Sequence, residues 1–179
     1  SEARISVQDG CTLRLEPTGK VRCVTSITDQ GQGTLMGLVQ IMAGALGVTV
    51  DDIDIIAGDS AISPYGGGAW ASRGMAMGGE AALKAAVALR ANILALAGAI
   101  TQADPSDLDI VDGAIVNRQT RMTTISLADV GRIGYFRQDT LPPDFEVELA
   151  VTRSHVANNQ LYYSANGVNA VHLEIDVDT

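Results

Sequence analysis

From Thr34 to Leu46 the sequence is apolar on nearly every side, and Gly47 follows as a helix stop. A helix without a polar face has to be wrapped by other elements of the fold. A second apolar stretch, Met75 to Ile100, is interrupted only by Glu80, Lys84, Arg90 and Asn92, and its apolar content is mainly Ala. That composition predicts a buried core helix and not a membrane span. Extended from Gly74 to Ala103, it would measure about 45 Å at 1.5 Å per residue. Two such helices need covering sheets. The fold class expected is therefore α+β, with small mixed or antiparallel sheets packed against two long buried helices. A chain of 179 residues can supply one core of that kind, or two small lobes around one. Aromatic residues make up 4% while glycines number 19, which favours close backbone packing over large aromatic cores.

Strand candidates lie in the right places. Glu16-Pro17-Thr18-Gly19-Lys20 reads as a hairpin turn between Cys11–Glu16 and Val21–Ile27. Ile53 to Ala57 is a short strand ended by Gly58-Asp59-Ser60. Leu108–Val111 and Ala114–Asn117 flank Asp112-Gly113, a strong type I′ hairpin signal. A short helix is expected over Ser126 to Gly134 and an extended segment over Phe145–Val151. Ala157 to Asn166 reads as a polar loop, and Val168–Val177 alternates like a strand. The chain is taken as a single unit, with a core over 1–104 and peripheral strands and a short helix over 105–179. Because that last strand has no partner in sequence, the chain reads as a fragment of a larger domain.

Several function classes are excluded by composition. A formal charge of −9 with no basic stripe does not suit a nucleic-acid surface. Cys11 and Cys23 are the only cysteines, and His155 and His172 the only histidines, too few for a zinc or iron–sulfur site. A turn centred on Thr18-Gly19 pairs residues whose numbers sum to 37, which sends the two cysteines to opposite faces, so no disulfide is expected. Free thiols point to a reducing, cytoplasmic compartment. Asp51, Asp52 and Asp54 precede a strand and read as a solvated turn. Ser63 and Ser72 have no His and carboxylate at triad-like spacing. Met36, Met42, Met75 and Met77 sit on apolar helices and read as core fillers.

The chemistry-bearing elements are two glycine-rich turns, each set just before a buried helix. Gly31-Gln32-Gly33 precedes the first; Ser63-Pro64-Tyr65-Gly66-Gly67-Gly68-Ala69-Trp70-Ala71-Ser72-Arg73 precedes the second, with Ser72 as its expected N-cap. Helix starts leave backbone N–H groups unpaired and carry the positive end of the dipole, and glycine lets a ligand approach that backbone. The pair suits a phosphate or pyrophosphate, with the Arg73 guanidinium nearby. Gly31-Gln32-Gly33 fits neither a dinucleotide fingerprint, since the third glycine and the acidic ribose residue are misplaced, nor a P-loop, since it lacks the Lys-Ser/Thr.

Taken in order, Gly31-Gln32-Gly33, Leu46-Gly47-Val48, Asp51-Asp52-Ile53, Gly58-Asp59-Ser60, Pro64, Ala71-Ser72-Arg73 and Gly79 resemble the molybdopterin-binding large subunit of the xanthine dehydrogenase and aldehyde oxidase family. The resemblance covers Ala3 to about Leu94 and returns over Gly167 to Thr179. It implies that Gly31, Gln32 and Gly33 sit against the molybdopterin, with Gln32 near its metal end. It also implies that Ala69, Trp70, Ala71, Ser72, Arg73 and Gly74 wrap the pterin and its phosphate. The cofactor implied is the cytosine dinucleotide form, with 2Fe-2S clusters and FAD on other domains or subunits. Implied partners are the rest of the large subunit, iron–sulfur and FAD subunits, and a small-molecule substrate. The family's catalytic glutamate has no counterpart in this chain, so no catalytic or metal-ligating residue is assigned and the fragment alone is expected to be inactive. Met36 stands where the family often has threonine, and Trp70 where small residues are usual. A non-catalytic anion- or nucleotide-binding module, and a purely structural fragment, are the competing readings.

Overall fold

The computed structural model describes residues 8–157 and 167–178. Its first sheet has the order β3-β2-β1-β7, formed by β1 (Gln8–Leu15), β2 (Val21–Thr25), β3 (Ile53–Ala57) and β7 (Ala150–Val156). β1 pairs antiparallel with β2 and with β7, while β2 and β3 run parallel. Parallel neighbours need a crossover, and α1 (Thr34–Leu46) provides it. The second sheet, β4-β5-β6, is antiparallel: Leu108–Val111, Ala114–Asn117 and Thr123–Ser126. The mixed α+β architecture expected from the two apolar helices is what the chain adopts.

α2 (Gly79–Thr101) is the spine. A π-turn over Gly74–Gly78 runs directly into it, so the helical stretch spans Gly74–Thr101. By length and apolarity this stretch could cross a bilayer. Here it is a core helix: Ala81, Ala82, Ala85, Ala86, Leu89 and Ile93 are buried in the same cluster as Leu13, Val21, Leu38, Met42 and Leu46. Alanines on this face let the helix approach the sheet and α1 closely. α1 buries Leu38, Val39, Met42, Ala43 and Leu46 and leaves Met36, Gln40 and Gly44 exposed, so it is wrapped on one side only. Of the four methionines expected in the core, Met42 and Met77 are buried, whereas Met36 and Met75 are 55% and 42% exposed at the start of their helices.

Glycine ends α1 as expected. Gly47 is left-handed (φ 85°), and its N–H reaches the Ala43 carbonyl. Asp112 and Gly113 both have positive φ, as a type I′ turn requires. α3 (Leu127–Phe136) is capped by the Ser126 hydroxyl, which accepts from the Asp129 N–H.

Three expectations are corrected. Pro17-Thr18-Gly19 forms a three-residue loop with Gly19 left-handed, closed by the Glu16 N–H bonding the Lys20 carbonyl at 2.8 Å. Partner numbers therefore sum to 36, one less than a turn centred on Thr18-Gly19 gives, and Cys11 faces Thr25. A one-residue change of register reverses the facing of a strand's side chains. Cys11 and Cys23 thus share the core face, as free thiols with Sγ atoms 3.5 Å apart. The extended segment placed at Phe145–Val151 begins later, at Ala150. Residues 168–177 form no strand; Val171, Leu173, Ile175 and Val177 are all exposed there. An extended segment gains ladder bonds only beside another strand, and among the described residues none pairs with this one. The polar loop expected up to Asn166 lies, beyond Ala157, outside the described residues.

Candidate functional site: two helix starts that meet

The first glycine-rich turn is organised by a carboxylate that sequence reasoning passed over. Asp29 Oδ1 accepts the Gly31 N–H at 2.8 Å and Oδ2 accepts the Leu35 N–H at 3.1 Å. These amide bonds hold its carboxyl below the ordinary carboxylate range. Asp29 therefore occupies part of the N-terminal anion position of α1. The Gln32 side-chain carbonyl accepts from the Gln30 N–H at 2.7 Å, which leaves its NH₂ as an outward donor. Gly31 (φ 99°) and Gly33 (φ 76°) are left-handed, and a Cβ on either would meet no protein atom within 4 Å. The turn is exposed and open on that side.

The second turn is built differently. Ala71 and Ser72 are both left-handed (φ 49° and 60°), and Arg73 returns to the right-handed region. A left-handed residue followed by a right-handed one, as at Ser72-Arg73, turns neighbouring amides toward one side, the backbone form of an anion-binding concavity, although the Arg73 N–H itself donates to the Trp70 carbonyl at 3.2 Å. Ser72 does not cap the helix through its hydroxyl: Arg73 holds the cap position and no side-chain cap bond forms. The N–H groups at the start of the Gly74–Thr101 stretch cannot be satisfied within the helix. Trp70 packs against its own loop, its indole N–H bonding the Gly67 carbonyl at 3.0 Å, and is 41% exposed.

Arg73 is buried, and its charge is spent internally. Nη1 donates to the Gly68 carbonyl at 2.6 Å, Nη2 donates to the Gln8 carbonyl at 3.2 Å, and Nη2 lies 2.5 Å from Asp9 Oδ2. The guanidinium carbon lies 5.7 Å from the Trp70 ring centroid, within cation–π range. Asp9 Oδ1 accepts from the Ser26 hydroxyl and from the Gly67 N–H, both at 3.0 Å. Burial pushes the Asp9 carboxyl above the ordinary range, against the pull of Ser26, Arg73 and the amides of Gly67 and Gly68. The planar fork expected to face a ligand instead ties the turn to the start of β1. Nothing in the sequence pattern marked Asp9, because its partners lie 17 to 64 positions away.

The two turns are brought together. Thr34, the first residue of α1, is buried, and its side chain would stand 3.6 Å from a Cβ added at Gly74, beside Ala69 at the same distance. A Cβ on Gly68 would come within 4.0 Å of Thr28 Oγ1. An open cavity of about 420 Å³ lies at the Ser63–Gly66 end of the second turn, lined by Ser26, Thr28, Asp59, Ser63, Tyr65 and Gly66 among others. No group of three or more His, Cys, Asp or Glu residues able to hold a metal occurs among the described residues.

Two glycine turns and the first-turn amides of two helical stretches thus lie at one place in an α+β fold. Residues 2–179 match the family model for the molybdopterin cofactor-binding domain, and the chain belongs to that family. It is 29% identical over 168 residues to the large subunit of nicotine 6-hydroxylase from Paenarthrobacter nicotinovorans, covering 94% of this chain and 20% of that one. It is 28% identical over 177 residues to the carbon monoxide dehydrogenase large chain of Afipia carboxidovorans, covering 98% and 21%. The fold superposes on quinoline 2-oxidoreductase from Pseudomonas putida 86 with a TM-score of 0.76 and 36% identity, over 83% of this chain and 19% of that one. The chain thus spans about a fifth of the length of these relatives.

Proposed function

We propose that this chain forms part of the cofactor-holding region of a molybdenum hydroxylase, and that the cofactor is a molybdopterin in its cytosine dinucleotide form. One observation carries the reading: a Cβ on Gly74, at the start of the second helical stretch, would stand 3.6 Å both from the side chain of Thr34 at the start of α1 and from Ala69. Both glycine turns can then touch a single elongated anionic ligand. The open faces of Gly31 and Gly33 give that ligand room to approach, and the amides from Ser72 onward give its phosphates a concavity. Gln32 offers a side-chain NH₂ toward the pterin and metal end. Ala69, Trp70, Ala71, Ser72, Arg73 and Gly74 line the phosphate end, Arg73 by holding the loop in shape, since its side chain is engaged elsewhere and its N–H donates to the Trp70 carbonyl at 3.2 Å.

When bound, the group supplies two-electron redox chemistry at its metal for hydroxylation of an aldehyde or an N-heteroaromatic carbon with water-derived oxygen. This chain's own residues bind and orient; they move no proton in that step. The rest of the large subunit carries the base and the substrate pocket. Iron–sulfur clusters and FAD on other domains or subunits carry electrons away, and the fragment alone is inactive. Two free thiols on the core face suit a cytoplasmic site of action. The division into a core at 1–104 and a peripheral part at 105–179 follows the same reading, because both turns fall in the first part.

Acid release of the ligand from the native full-length protein tests this. Oxidised pterin and CMP in equal amounts are expected. A different nucleotide would replace the reading with a non-catalytic binding module, and no released ligand would leave a structural role.

A further inference from the structure

We propose that Asp9 is the positioning residue of the anion-binding turn, acting through Arg73 to set the amides that receive the cofactor's phosphates. The inference rests on the cofactor reading above. Asp9 is fully buried at the start of β1 and is distant in sequence from everything it holds. One oxygen takes the Gly67 N–H and the Ser26 hydroxyl; the other faces the guanidinium of Arg73. Arg73 in turn grips the Gly68 carbonyl at one end of the turn, while its own backbone sits at the other end, next to left-handed Ala71 and Ser72. The two ends of the loop are thereby closed onto one carboxylate.

The local sequence is shaped for this closure. A Cβ at Gly66 would overlap Ser26 Oγ and Asp9 Oδ1, and a Cβ at Gly10 would come 2.8 Å from the Pro64 Cβ. The loop therefore lies close against β1 on both sides of Asp9, at Gly10 through Pro64 and at Gln8 through the Gly67 N–H, which donates to the Gln8 carbonyl at 3.2 Å. Two consecutive left-handed non-glycine residues cost conformational energy that the surroundings must over-determine. The buried pair does so. Oδ2 of Asp9 has the guanidinium beside it but no donor in line. Charge pairing and the carbonyl bonds of Arg73 therefore carry the fixation on that side.

Asp9→Asn in the full-length protein leaves the Arg73 charge buried without its partner and presents an NH₂ to the guanidinium. Bound pterin per protein is expected to fall by about 10- to 100-fold, the usual cost of removing the group that orients a ligand-binding element. Amide hydrogen exchange over residues 67–76 should rise, while β1–β2 and α2 stay protected. The double variant Asp9→Asn with Arg73→Gln removes the buried charge, so thermal stability should recover while pterin content and exchange at 67–76 do not. Ser26→Ala, which removes one bond to Asp9, should give a smaller fall with the fold intact. Wild-type pterin content in folded Asp9→Asn, or its recovery in the double variant together with stability, would overturn the proposal. If the wild type itself releases no pterin, the cofactor reading fails, and the exchange at 67–76 still decides whether Asp9 positions the turn.

Discussion

Replacing Gly66 by alanine tests the closure of the second turn in a single methyl group. The added Cβ would overlap Ser26 Oγ and Asp9 Oδ1, neither of which is the far end of a long flexible side chain. To make room, the Ser26 hydroxyl must leave its 3.0 Å bond to Asp9, or the Asp9 carboxylate must move away from the Gly67 amide. Overpacking of a filled site costs about 1–3 kcal/mol. Loss of one hydrogen bond to a charged group adds about 1.5–3 kcal/mol. The sum, roughly 2.5–6 kcal/mol, is far above the ±0.5 kcal/mol or so of an ordinary surface change. At about 2–4 °C per kcal/mol for a chain of this size, Tm should fall by about 5 °C or more in differential scanning calorimetry. Ser26→Gly deletes two of the three obstructing atoms, so adding it to Gly66→Ala should restore part of the loss, non-additively. A Gly66→Ala protein that melts within about 1 °C of wild type would refute the description of the turn, because contacts this close cannot be accommodated at so small a cost.

Gly44, exposed in the middle of α1 with no atom near a would-be Cβ, is the opposite case: Gly44→Ala should stabilise by about 0.5–1 kcal/mol in urea unfolding. Cys11 and Cys23 are wholly buried, and the Cys23 thiol is pushed up by its bond to Cys11 and by burial, so neither should react with a thiol reagent until the chain unfolds. The carboxyls of Asp29 and Asp129 lie below the ordinary range, the first held by backbone amides and the second by the Ser126 hydroxyl and Arg132. Each contributes stability that is present above the unfolded-state value, near 3.9 for aspartate, and is lost as pH falls through the folded one. Asp9, raised by burial, opposes this. Unfolding midpoints followed below about pH 4 should therefore fall less steeply in Asp29→Asn than in wild type.

Much of this fold is legible because its elements announce themselves locally. Thr34–Leu46, Ile53–Ala57 and the Leu108–Asn117 hairpin fall where apolar runs and left-handed glycines put them. The helix from Gly74 needs no more than its alanine content and its length. What escaped depends on distant partners. The register at Cys11 turns on whether Gly19 ends a two- or a three-residue loop, and only the Glu16–Lys20 bond decides that. β6 at Thr123–Ser126 is short and polar, and exists because β5 lies beside it. At the site, the glycine turns could be found from their pattern. Their two carboxylate organisers could not: Asp29 looks like any polar residue before a turn, and Asp9 acts across dozens of positions. Arg73 was read as facing a ligand because an arginine after Ser72 at a helix start suits a phosphate. Its burial shows that the guanidinium serves the loop instead.

A crystal structure of the full-length protein with its native ligand puts the account to its most direct test. Amide nitrogens of Ser72 and of Gly74 to Ala76 should lie within about 2.7–3.2 Å of phosphate oxygens, with the Gln32 NH₂ turned to the other end of the same molecule. Phosphates held elsewhere, with the amides after Ser72 facing only water, would contradict it.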